Sequence, residues 1–201
     1  MANDRIVWID CEMTGLELGI DELIEVAVHI TDFDLNVLDE GIDVVIRPSD
    51  AARANMNDFV TQMHTTSGLI TELDAGLTVA EAQERVLAHI RKYVPEAKKA
   101  PLGGNSVGTD KAFLLEQMPE LVEHLHYRII DVSSVKELAK RWFPRAYFHA
   151  PAKTGGHRAL GDIQDSIAEL TYYRSAVFRG DEGPTSEEAM AIAAEVTAAR
   201  A

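Results

Sequence analysis

The chain has 201 residues, 46% hydrophobic and 26% charged, an ordinary globular composition with enough length to bury a sizeable core. Its 33 acids outnumber 19 lysines and arginines, a formal net charge of −14. That balance excludes a protein that wraps long nucleic acid with a basic face, and leaves open a small anionic substrate held by metal ions and a few local donors.

The single cysteine, Cys11, forbids an internal disulfide and fits a reducing compartment. Asp4 and Arg5 precede only four consecutive apolar residues, which reads as neither a signal peptide nor a membrane span. No later stretch approaches the ~20 apolar residues that a span needs, so the cytoplasm is the expected compartment.

In chain order, the apolar run Ile6 to Ile9 leads into Asp10-Cys11-Glu12-Met13-Thr14-Gly15. On a strand Asp10 and Glu12 share a face, roughly 7 Å apart along the chain, and Cys11 points the other way. Leu23 to Thr31 and Val37 to Arg47 are rich in β-branched residues, with Asp34 to Asn36 as a turn between them. Three consecutive, mostly antiparallel strands are expected from this. Asn55 to Thr65 has helical character and is interrupted at Ser67-Gly68.

Thr78 to Glu81 reads as a capping box opening a helix that Pro95 stops, with Ala82, Val86, Leu87 and Ile90 as its apolar stripe. Pro101 to Asn105 suggests a short buried strand and a tight exit, and Asp110 starts the next helix. A strand at Arg128 to Val132 precedes a helix through Trp142 capped by Ser133 or Ser134. Phe143 to Gly156, with two prolines and a Gly-Gly end, reads as a mobile loop before a long helix from Arg158 to Phe178. After a linker at Arg179 to Pro184, a second capping box at Thr185 to Glu188 opens a peripheral or frayed helix. The fold class is α/β, a mixed central sheet whose first three strands are antiparallel, flanked by helices.

Two carboxylates crowded at the end of a buried strand repel each other, so a cation between them is the simplest remedy. A hard divalent ion suits oxygen ligands. Asp110 at a helix start, His157 after Gly155-Gly156, and Asp162 five residues on could complete such a site. Each also has an ordinary structural explanation. Asp10 and Glu12 could be solvated at a loop edge, Asp110 could favour a helix dipole, Asp162 could face water, and His157 is one of seven histidines.

The motifs together resemble the DEDDh exonucleases, and within them the branch that degrades short oligoribonucleotides. The resemblance runs through Asp10-x-Glu12-Met13-Thr14-Gly15-Leu16, His64-Thr65-Thr66-Ser67-Gly68, Gly104-Asn105-Ser106-x3-Asp110 and His126-Tyr127-Arg128-x2-Asp131-Val132-Ser133. It continues in Lys136-Glu137-Leu138-Ala139 and closes at His157-Arg158-Ala159-Leu160-x-Asp162. It implies a ribonuclease H-like exonuclease domain over residues 1–178, with 179–201 outside it as linker and peripheral helix or frayed tail.

The resemblance further implies that Asp10, Glu12, Asp110 and Asp162 hold two divalent ions, magnesium or manganese. Two such ions about 3.5–4 Å apart can serve both the attacking and leaving oxygens of an in-line phosphoryl displacement. His157 would be the general base on the attacking water. Leu16 would lie against a substrate base, and Phe59 falls near where the family usually carries a stacking tryptophan. His64 would contact sugar or base. Ser106, Arg128, Ser133 and Ser134 resemble the family's 5′-phosphate pocket, a serine-plus-arginine set suited to phosphate oxygens. Tyr127 would reach the substrate across a subunit interface, since the family forms homodimers.

The expected activity is 3′-to-5′ hydrolysis of short oligoribonucleotides, especially dinucleotides, to 5′-mononucleotides. A relative that acts on longer strands, in tRNA trimming or DNA proofreading, would favour basic residues leading away from the site. A non-catalytic nucleotide-binding module would lack one of the acids, and none is missing.

Overall fold

Strand β1 (Arg5–Met13) owes its central place to two apolar sets on opposite faces. Val7, Ile9, Cys11 and Met13 join one core cluster, while Ile6 and Trp8 join another. The chain is represented by a computed structural model that describes residues 4–152, 156, 158–178, 180 and 183–199. β1 pairs antiparallel with β2 (Leu23–Asp32), which pairs antiparallel with β3 (Ile42–Val45). On its other edge β1 runs parallel to β4 (Pro101–Gly104), and β4 parallel to β5 (His126–Asp131), giving the order β3-β2-β1-β4-β5.

Helices α1 (Asp50–Asn55) and α2 (Asp58–Thr66), two single 3-10 turns and α3 (Val79–Tyr93) follow the first three strands. α4 (Gly108–Gln117) and α5 (Pro119–His124) separate β4 from β5. Then come α6 (Val132–Trp142), α7 (Pro144–Phe148), α8 (Ala159–Ala176) and α9 (Ser186–Ala198). α3, α4 and α5 cover the Val7/Ile9 face through Val86, Ile90, Phe113 and Leu121. α8 covers the Ile6/Trp8 face through Ala159, Ile163 and Ile167. Asp10 and Glu12 continue that second face beyond Trp8, where α8 begins.

Several expected boundaries move, each for a visible reason. The third strand spans only Ile42–Val45, with isolated bridges at Val37 and Ile46. Asp39 diverts the chain between them: its carboxylate accepts the Ile30 backbone N–H at 3.0 Å and also meets His29 and His89, and Gly41 turns with φ +78°. The helix expected over Asn55 to Thr65 is α2, capped by Asn57, and a further short helix that the sequence reading did not place, α1, is capped by Ser49 before it.

The helix after β5 is capped by Asp131, which accepts the Ser133 N–H, and not by either serine. The expected loop from Phe143 contains α7, started by Pro144 at its first position, where the missing N–H costs nothing. The capping boxes at Thr78 and Thr185 form with both reciprocal hydrogen bonds.

β4 owes its position to Gly103, which lets it slide close to β1. A Cβ there would lie 2.8 Å from Ile6 Cγ2 and 3.1 Å from Trp8 Cδ2. Both neighbours are fully buried and cannot step aside. Gly103→Ala is therefore expected to overpack this layer and cost about 1–3 kcal/mol of stability. A urea unfolding curve checks it, and an unchanged midpoint would refute the tight packing.

Candidate active site

Strand β1 ends as an acid-bearing edge. Ligand oxygens of Asp10 and Glu12 and one of Asp162, in the first turn of α8, all lie within 4.8 Å of one another. Asp110, in the first turn of α4, approaches from the β4 side. Its Oδ1 accepts the Cys11 backbone N–H at 3.1 Å, close to where β4 has left the sheet at Gly104. A cavity of about 540 Å³ brings all four acids together with Asn105, Ser106, Thr109 and Ser166. Three elements far apart in sequence thus meet at one strand end.

Charge in this cavity is uncomfortable. Burial raises the Glu12 carboxyl to about 8, with Glu25, Asp162 and Asp110 adding to the effect and Arg158 opposing it. Burial likewise lifts Asp110 to about 6, against hydrogen bonds from backbone N–H groups and Cys11. The Cys11 thiol is pushed well up by burial and then by Asp110, and it is not among the groups that gather in the acid cluster. The cluster offers carboxylate oxygen and nothing softer, which fits a hard divalent cation.

The other expected site residues fall into two groups. Leu16 and Phe59, both about three-quarters exposed, line a second cavity of about 420 Å³ that shares Glu12 and Met13 with the acid pocket. His64 lies beneath, fully buried. Its Nε2 meets the Met13 carbonyl at 3.0 Å, which must accept, and Nδ1 stands 3.9 Å from Glu12 Oε2. His64 therefore reaches the acids from inside the fold, where contact with a sugar or base would have to come from the pocket side.

Ser106, Ser133 and Ser134 gather around Asp131, a residue the motif contains but to which no role was assigned. Asp131 accepts the Ser106 N–H at 2.9 Å, the Ser133 hydroxyl at 2.7 Å and the Ser134 hydroxyl at 3.0 Å. Burial works against its charge, yet these donors outweigh it and hold its carboxyl below the usual range. The signal was there: Asp-Val-Ser-Ser at a strand end is an N-cap sequence. Arg128 and Tyr127 are exposed side by side on the edge strand β5, the guanidinium 5.5 Å from the ring centroid. His157 lies outside the described residues.

Sequence reasoning also missed Glu25 and Arg158. Arg158 Nε donates to Glu25 at 2.7 Å, and its other nitrogens reach Glu72 at 2.7 Å and Asp43 at 3.4 Å. An acid in the middle of a strand that is otherwise buried could have flagged Glu25.

The exonuclease family model matches residues 7–170. Over 196 residues the chain is 64% identical to the oligoribonuclease of Streptomyces griseus, covering 98% of each. It is 58% identical to that of Leifsonia xyli subsp. xyli over 195 residues, 97% of this chain and 94% of the relative. The chain belongs to the oligoribonuclease family of exonucleases. Membership makes it an exoribonuclease, a hydrolase of phosphodiester bonds.

Among solved structures, E. coli exonuclease I in complex with a dA16 oligonucleotide superposes at TM-score 0.68 and 15% identity over 87% of this chain. The chain spans 41% of that protein's length, and at this identity the likeness speaks for the ribonuclease H-like fold alone.

A pH dependence follows from the crowding. A carboxyl raised from 4.5 to about 8 in the folded state binds more protons there than in the unfolded chain across that window. Stability must then fall as pH rises from 4.5 toward 8, and Asp110, raised to about 6, adds in the same direction. In chelator, urea midpoints are expected to decline from pH 5 to 8, and Glu12→Gln to flatten the slope. A midpoint that rises over this range in the unmutated chain would overturn it.

Proposed function

We propose that the chain degrades short oligoribonucleotides, dinucleotides above all, from the 3′ end to 5′-mononucleotides, with two divalent ions, magnesium or manganese, held by Asp10, Glu12, Asp110 and Asp162. The convergence of these acids in one desolvated pocket carries the reading. Bound there, the ions supply four positive charges against four carboxylates and stabilise charge on the phosphate. His157 takes the proton of the attacking water. Leu16 and Phe59 sandwich a base in the adjoining cavity, and His64 supports Glu12 and the end of β1 from beneath.

Arg128 answers the 5′ phosphate, together with Ser106, Ser133 and Ser134. The serine hydroxyls of α6 already donate to Asp131, so the guanidinium is the charge that a phosphate would meet first. Tyr127 works across an interface between two copies of the chain. Support for a homodimer comes from β5, an edge strand that exposes Tyr127 and Ile129 and is open to pairing. Residues 1–178 form the exonuclease domain. Residues 179–201 stand apart from it, as the wholly exposed α9 suggests. Cytoplasmic residence fits the single buried cysteine, and no described helix is long and apolar enough to cross a membrane.

Hydrolysis is expected to stop in excess chelator and to return with magnesium or manganese, and poorly with calcium, whose looser shell fits the geometry badly. Asp110→Asn is expected to lose metal binding and nearly all activity. His157→Ala is expected to lose about 10²–10⁴ in rate while keeping metal affinity, because it acts on water and ligates nothing. Undiminished turnover in chelator would overturn the metal reading, and lost metal affinity in His157→Ala would overturn the base assignment.

Length preference tests the phosphate pocket. With 33 acids against 19 lysines and arginines, the chain offers added nucleotides little attraction. Charge-assisted hydrogen bonds to a 5′ phosphate are worth about 1.5–3 kcal/mol each, an order of magnitude or more in rate. A 5′-phosphorylated dinucleotide is therefore expected to turn over far faster than a longer oligomer. Arg128→Ala should lower dinucleotide turnover most and flatten the preference. Equal rates on both lengths in the unmutated chain would point to strand tracking instead.

A further inference from the structure

α8 begins without a cap of its own. Arg158 occupies the N-cap position and makes no side-chain cap hydrogen bond, where a serine, threonine or aspartate would ordinarily satisfy the first N–H groups. The missing acceptor comes from another layer of the fold. Glu25 Oε2, from β2, accepts the Ala159 N–H at 2.9 Å, and Glu25 Oε1 accepts Arg158 Nε at 2.7 Å. One wholly buried carboxylate thus grips two consecutive residues at the start of the helix that carries Asp162. In the sheet Glu25 stands directly opposite Glu12, so the same ladder rung holds an active-site acid and the clamp.

We propose that Glu25 is a positioning residue of the active site, using Arg158 and the first peptide of α8 to set where Asp162 stands against Asp10 and Glu12. Glu25 is a poor candidate for a ligand, because both of its oxygens already accept and its atoms fall outside the acid cluster found among the described residues. Simple stabilisation explains it poorly as well. A buried ion pair gives little net stability, and here one cation serves three acids, Glu25, Glu72 and Asp43.

The arrangement does fix geometry. Glu25 ties the helix start to β2, while Glu72 and Asp43 tie the far side of Arg158 to a 3-10 turn and to β3. Arg158 also follows His157 directly in the chain.

The inference rests on the proposed metal-assisted hydrolysis, and the test separates the two. Glu25→Gln keeps an acceptor for Ala159 but gives up the charge opposite Arg158, and Arg158→Lys keeps the charge but loses the fork. In the full-length chain with saturating magnesium, either variant is expected to lose about 10²-fold in kcat on a dinucleotide, the scale of a 1 Å misplacement, with KM within about twofold. Terbium affinity at the acid cluster, read by luminescence without substrate, should fall as well. Metal-free thermal midpoints should stay near that of the unmutated chain.

The double variant Glu25→Gln/Arg158→Lys should lose little beyond the worse single, because both changes disturb the same contact. Unchanged kcat and terbium affinity in both single variants would overturn the proposal. So would a loss that merely follows the fraction folded. Hydrolysis persisting in chelator in the unmutated chain would instead mark failure of the metal reading itself, and the positioning role would go with it.

Discussion

Like charges forced together at the end of one buried strand are the constraint on which this molecule depends. Asp10 and Glu12 leave β1 on the same face because strand side chains alternate, and α8 then delivers Asp162 to within ligand distance of both. The pocket walls exclude enough water to raise Glu12 to about 8. A fold without a cationic partner would not keep such a group, since every neighbour that desolvates it weakens the folded state. The stability given up here is recovered elsewhere, in the two apolar layers that Val7 and Ile9 form on one side of the sheet and Ile6 and Trp8 on the other.

Two acids outside the cluster manage the consequences of building a site from separate elements. Glu25 secures the start of α8, and Asp131 secures the start of α6 together with the turn at Ser106, whose φ of +59° places it in the left-handed region. Glu25 stands in for the cap that α8 lacks, Asp131 is the N-cap of α6 itself, and each carboxylate reaches across to a second segment. The device suits an enzyme whose pieces must register with one another more finely than hydrophobic packing alone ensures.

The sheet order explains why the pocket opens where it does. β1 pairs in parallel with β4 only as far as Trp8 and Gly103, after which β4 ends. From Ile9 to Met13, β1 is therefore paired on one edge and open on the other, toward α4 and Asp110. Close approach at Gly103 brings β4 near enough for that geometry, and Gly104 admits Val107 at the turn into α4.

Much of this was legible in the sequence, because local rules govern it. Alternation placed Asp10 and Glu12 on one face, the capping boxes at Thr78 and Thr185 marked two helix starts, and spaced motifs carried the family resemblance through Asp110 and Asp162. Other features depend on groups distant in sequence that no window contains. The short β3 follows from Asp39 engaging both His29 and His89, and the hold of Asp131 on the Ser106 backbone joins residues 25 apart in the chain. The burial of His64 under Met13 and the grip of Glu25 on α8, across more than a hundred residues of chain, exist only once the layers have packed. Residue type and spacing determined which groups could carry the chemistry; burial and long-range hydrogen bonding, which arise only in the packed fold, decided how they are held.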